Sequence, residues 1–143
     1  MTTASSTTLT IGEVSALTGL STHTLRFYEQ EHLFVEPVRR TSAGRRVFTD
    51  SEVGWLRVCT KLRSSGMPLA DIRRYADLVR QGPGTEAARL DLLRGHEARV
   101  TRQVEELNEA LDVIKAKVSL YEEHLAAGTA DALWRDGPAC SSA

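Results

Sequence analysis

Thr10 to Glu29, which reads TIGEVSALTGLSTHTLRFYE, carries the punctuation of two short helices joined by a tight turn. Thr10-Ile11-Gly12-Glu13 is a capping box: the threonine hydroxyl accepts from the Glu13 amide, and the glutamate reaches back to the amide of Thr10. Ile11, Val14 and Leu17 then recur on one helical face. Gly19 supplies the left-handed conformation that ends a helix. Ser21 is a good N-cap for the next helix, with Leu25, Phe27 and Tyr28 as its apolar surface up to about Gln30. This is the pattern of a helix-turn-helix, which also occurs in proteins that never touch DNA.

The residues that follow supply a second sign. Pro37 blocks helix continuation. Val38 and Val47-Phe48 flank a Thr41-Ser42-Ala43-Gly44 turn, which reads as a short hairpin, or wing. Arg39, Arg40, Arg45 and Arg46 lie on its arms, with no acid between Val38 and Phe48. The net charge of the chain, −1 from 18 basic and 19 acidic residues, argues against nucleic acid when taken alone. The distribution argues the other way: residues 1–80 hold 11 basic and 8 acidic side chains, and residues 81–143 hold 7 and 11. A local basic stripe is what matters for phosphate binding. On charge alone it reads equally well as a solvated face.

A second capping box, Thr49-Asp50-Ser51-Glu52, opens a third helix along Val53, Leu56, Cys59 and Leu62, with Trp55 beside them and Gly66 as the stop. Pro68 fits the first turn of a fourth helix, whose apolar face is Ile72, Tyr75, Ala76 and Val79. Gly82-Pro83-Gly84 marks a domain boundary. Beyond it, Val100, Val104, Leu107, Leu111, Ile114, Val118, Tyr121 and Leu125 step alternately by four and three, a strict heptad. A narrow apolar seam of this length argues for a coiled coil between two copies of the chain. Leu90 and Leu93 extend the seam backward and Glu97 interrupts it. Gly95 costs about 1 kcal/mol inside a helix, so a bend or restart is expected there. The expected organisation is a disordered arm over 1–8, a winged helix-turn-helix domain over 9–81, a dimerisation helix over 85–126 and a short tail over 127–143. The fold class is mainly α, with a small β-hairpin wing and a long helix forming an antiparallel coiled coil.

Thr10-Ile11-Gly12-Glu13-Val14, Leu25-Arg26-Phe27-Tyr28-Glu29, Gly44-Arg45-Arg46-Val47-Phe48 and Leu62-Arg63-Ser64-Ser65-Gly66 resemble, in order, the I-G-E-V, L-R-Y-Y-E, G-x-R-x-Y and L-R-x-x-G blocks of the MerR family of transcription regulators. The likeness covers about residues 9–80, and the heptad helix continues it to about residue 125. It implies a homodimer on a palindromic promoter in double-stranded DNA. Thr22, His23 and Thr24 would face bases or nearby phosphates, and Arg26 would contact DNA from the recognition helix. The Tyr28 hydroxyl would reach the backbone. Arg46 would be the wing arginine, assisted by Arg39 and Arg45. Phe48 stands where the family has tyrosine, without its hydroxyl. Two local alternatives stay open: Tyr28 as a core aromatic, and Arg26 as an ion-pair partner of Glu29. The implied mechanism bends and untwists the promoter spacer so that RNA polymerase can read both elements.

The sensing half is less specified. Cysteines do not flank the dimer helix, Cys140 lies in the tail, and His96 and His124 lack partners at ligand spacing, so no metal site and no cofactor are expected. The roughly 18 residues after Leu125 are too few for a drug-binding domain. The layout from Glu86 to His96 looks closest to the aldehyde- and thiol-stress branch. Cys59 is the possible thiol sensor, but it continues the Val53-Leu56 stripe and sits two residues before the position of the branch cysteine, so a buried structural role is favoured. No phosphate loop, nucleophile elbow or zincin motif is present, and an enzyme is not expected. No apolar run is long enough for a membrane span and no signal pattern opens the chain, so a cytoplasmic, nucleoid-associated protein is expected. The competing readings are an excisionase-like, DNA-architectural winged helix without an effector, and a coiled coil whose basic domain binds protein.

Overall fold

The computed structural model describes residues 8–133. The arm expected over 1–8 falls outside them but for its last residue, as do Trp134 onward in the expected tail, with Cys140. The chain divides into two compact units between Ala98 and Arg99. The first runs β1 (Leu9–Thr10), α1 (Ile11–Thr18), α2 (Thr22–Gln30), β2 (Arg39–Arg40), β3 (Arg46–Phe48), α3 (Asp50–Ser64), α4 (Leu69–Gln81) and the start of α5 (Glu86–Ala127). This is the mainly helical class expected, with helix-turn-helix, wing and long helix in order.

The caps form as read. Glu13 N donates to Thr10 Oγ1 at 3.2 Å, and Thr10 N to Glu13 Oε1 at 3.3 Å. Gly19 is left-handed at φ 75°, and Thr24 N donates to Ser21 Oγ at 3.1 Å. The box at α3 closes on one side only: Glu52 N donates to Thr49 Oγ1, while the Glu52 carboxylate accepts from the Thr49 hydroxyl instead of the backbone. Helix α2 ends in a Schellman motif, with Leu33 N donating to Tyr28 O and His32 N to Glu29 O. The left-handed residue there is His32, at φ 56°, where glycine is usual.

The wing differs from the expected two-stranded hairpin. It is a three-stranded antiparallel sheet in the order β1-β3-β2. Leu9 pairs with Phe48 and Thr10 with Val47; on the other side Arg39 faces Val47 and Arg40 faces Arg46. Two residues of β1 are too few for alternation to show in sequence. Thr10 thus ends a strand and caps a helix at once. The turn closes through Thr41 N to Arg45 O and Gly44 N to Thr41 O, with Gly44 at φ 81°.

Val14, Leu25, Leu33, Phe48, Leu56, Met67 and Ile72 meet in one core. Phe34 packs on Phe48, with ring centroids 5.9 Å apart. Trp55 stacks on Tyr75 at 5.5 Å and donates its Nε1–H to Leu33 O. Pro68 is the N-cap of α4, one position before the first turn expected of it.

Helix α5 is continuous for 42 residues, roughly 60 Å at about 1.5 Å per residue. The restart expected at Gly95 does not occur: the helix runs through it unbroken. The physical reason lies beside it: Leu92 packs against the core and His96 is buried, its Nε2 2.7 Å from Ser65 Oγ at the end of α3. That anchorage outweighs a glycine penalty of about 1 kcal/mol. It also explains Glu97, since the helix here buries the 92–96 face and the heptad face takes over from Val100. In the second unit α5 continues to Ala127 and a 3-10 turn follows at Ala130–Ala132.

Candidate nucleic-acid interface

Burying Leu25 and Tyr28 turns the opposite face of α2 outward, and His23, Arg26 and Gln30 are exposed along it. Thr22 and Thr24 are half-exposed at the N-terminal turn. The Thr24 amide is taken by the Ser21 cap, and the two hydroxyls stand 2.9 Å apart. The Thr22 and His23 side chains have no hydrogen-bond partner among the described residues.

The wing meets α2 through Glu29. Its Oε2 accepts from Arg46 Nε at 2.5 Å, and its Oε1 lies 3.5 Å from Arg40. The alternative pairing of Glu29 with Arg26 is therefore not made, and Arg26 is left exposed. Arg46, expected on DNA, has a side chain only 23% exposed and committed to Glu29. The pair ties the wing to α2. Arg40 also donates to Gly44 O. Arg39 is exposed near Glu52, whose carboxyl is held above its usual range by burial, against an opposing pull from Arg39. Arg45 is exposed, and its side chain has no acidic partner among the described residues. Thr10, Ile11, Arg26, Gly44, Arg45 and Arg46 line a concavity of about 400 Å³ between α2 and the wing.

Two expected site residues belong to the core. Tyr28 is 5% exposed, and burial raises its pKa. Its ring fills the interior under α2. Cys59 is buried among the same residues, and desolvation pushes its thiol up to about 12. A sensor thiol needs a depressed pKa and access; Cys59 has neither and acts as a small core residue.

Sequence reading missed a set of contacts made by α4. Arg80 donates to the carbonyls of His32, Phe34 and Val35, and pairs with Asp77. Arg73 donates to Glu31 O and pairs with the Glu31 carboxylate. One helix face thus holds the exit from α2 and the segment that leads to the wing. Arg73 lies inside the helix and Arg80 in its last turn, and both look like solvated charges in sequence; the backbone carbonyls they serve are more than forty residues away.

Along α5, Val104, Leu107, Leu111, Ile114, Val118, Tyr121 and Leu125 are exposed, and Val100 is half-buried. Ile114, Val118, Tyr121 and Leu125 line an open apolar groove with Val113. No group of three His, Cys, Asp or Glu suited to a metal ion occurs among the described residues.

The sequence matches the family described as MerR HTH family regulatory protein over residues 9–78, and the one described as MerR, DNA binding over residues 53–117. An uncharacterized HTH-type transcriptional regulator of Haemophilus influenzae is 35% identical over 126 residues, 88% of this chain and 93% of its own. The crystal structure of HiNmlR, described as a MerR family regulator lacking the sensor domain and bound to promoter DNA, aligns with a TM-score of 0.79 at 35% identity, over 88% of this chain and 95% of that one. The HTH-type transcriptional regulator AdhR of Bacillus subtilis is 28% identical over 92 residues, 64% of this chain and 65% of AdhR. Four ordered blocks on the elements just described, and a relative alike across nearly the full length of both chains, lead to one conclusion: this protein is a member of the MerR family of helix-turn-helix transcription regulators.

Proposed function

We propose that this regulator binds promoter DNA as a homodimer, reads it with α2, steadies itself on the flanking backbone with the wing, and controls transcription by bending and untwisting the promoter spacer for RNA polymerase. The observation that carries this reading is the exposed face of α2, with Arg26 beside Arg45 across a concavity open to a ligand. A helix face of this kind fits a major groove, and a capped helix start favours phosphate. The promoter-bound state of HiNmlR supports the same use of the fold. In this reading His23, Thr22 and Arg26 face the DNA, Arg45 and Arg39 lie toward the backbone, and Tyr28 supports the helix from beneath.

The dimer rests on the seam from Val100 to Leu125. An exposed apolar stripe this long is costly in water, and a second copy laid antiparallel covers it. The organisation follows: a DNA-reading domain over 9–81, a dimerisation helix over 85–126 and a tail. A role at promoters would put the protein in the cytoplasm, at the nucleoid. Within the family the layout from Glu86 to His96 is nearest to the aldehyde- and thiol-stress branch; a response of that kind would not pass through the buried Cys59 thiol.

The test is a gel shift with in vitro transcription on the gene's own upstream region. Specific retardation with changed transcript yield is expected. Arg26→Ala should weaken binding by about 1–3 kcal/mol while circular dichroism stays unchanged. Specific binding with no effect on transcription would favour a purely architectural role, and no binding would remove the reading.

A further inference from the structure

Glu29 closes the L-R-F-Y-E block and Arg46 lies in the G-R-R-V-F block, seventeen residues apart in sequence. Arg40 and Arg46 are cross-strand partners, so one carboxylate grips β2 and β3 of the wing. Glu29 is itself only 25% exposed. Arg26 and Arg45 border the same concavity and have no acidic partner among the described residues.

We infer that Glu29 is a specificity-determining residue: it withholds Arg40 and Arg46 from DNA phosphates and fixes the wing against α2, leaving phosphate binding to Arg26 and Arg45. The inference rests on the DNA-binding reading above. Every arginine free to take a phosphate adds affinity for any duplex, and that affinity falls with salt as counterions are released. Sequence is read by groups held in fixed register. A carboxylate that ties up two arginines lowers the first contribution and, by fixing the spacing of helix and wing, protects the second.

The experiment compares the wild-type full chain with Glu29→Gln, using fluorescence anisotropy. One duplex comes from the gene's upstream region and the other is a scrambled duplex of equal length, titrated between about 50 and 200 mM salt. In Glu29→Gln, scrambled-duplex affinity is expected to rise about 3- to 10-fold and the salt slope to steepen by about 1.8, two added phosphate contacts. The preference for the upstream duplex should fall about tenfold. A second comparison does not depend on that variant folding. Arg40→Gln should leave the salt slope unchanged, whereas Arg45→Gln should flatten it by about 0.9. Unchanged slope and preference in a folded Glu29→Gln protein overturn the inference, as does Arg40→Gln flattening the slope as much as Arg45→Gln. A wild-type protein without preference for the upstream duplex overturns the DNA-binding reading too, which separates the two failures.

Discussion

The same residue types have opposite fates in the two units. In the first, Val14, Phe48 and Ile72 are fully buried. In the second, Leu107 and Leu125 are each 69% exposed, with Val104, Ile114 and Val118 about half so. A winged helix-turn-helix closes its own core from many short elements. Among the described residues the second unit gives its long helix little else to close on, and in the proposed dimer a second copy covers the seam. The first unit carries its stability internally, and in the proposed dimer the second carries it across an interface.

That contrast can be broken from either side. The largest effect is expected from charges in the seam: Leu107→Asp with Ile114→Asp should convert the dimer to monomer in analytical ultracentrifugation and abolish operator binding, with the helical signal of the first unit retained. A variant that stays dimeric would locate the interface elsewhere. Next comes Phe48→Ala, which empties the middle of the first core and should cost about 3–5 kcal/mol in denaturant unfolding, with no change in subunit exchange once folded. Cys59 gives a chemical version of the same test. In a Cys140→Ser background, a thiol reagent at neutral pH should label Cys59 only after unfolding. The folded thiol's pKa, about 12, lies above that of an unfolded one. Its contribution to stability is therefore complete below the ordinary thiol pKa and is lost as pH rises from there toward 12. Rapid native labelling would contradict the buried site. The smallest effect is at His32: glycine relieves a left-handed side chain and should raise stability by about 0.5–1 kcal/mol, net of the greater freedom of the unfolded chain. Thermal melts of His32→Gly against wild type measure it.

Sequence shows some of this directly and hides the rest for identifiable reasons. Thr10 with Glu13, Ser21 with Thr24, and the turn glycines Gly19 and Gly44 act over three or four residues, so their signals stand in the letters. The heptad does too, because periodicity survives without knowledge of the partner. The third strand was hidden because Leu9–Thr10 is two residues long. The role of Arg46 was hidden because Glu29 is distant in sequence, and Arg80 and Arg73 because the carbonyls they serve lie in another part of the chain. Tyr28 shows a further limit: an aromatic with a hydroxyl fits both a core and a DNA contact, and only the packing of α2 on its neighbours puts it inside. His32 gave no sign, since a left-handed helix end is anticipated from glycine.

Thr10 has a mechanical consequence. It serves as the last residue of β1 and as the cap of α1, so no spare residue separates sheet from helix, and on the far side Glu29 bolts the wing to α2. With no slack at either joint, reading head and wing would turn together as one block. Promoter distortion of the kind proposed here would then be absorbed by the duplex and by rotation of whole blocks, not by a wing that flexes to follow it.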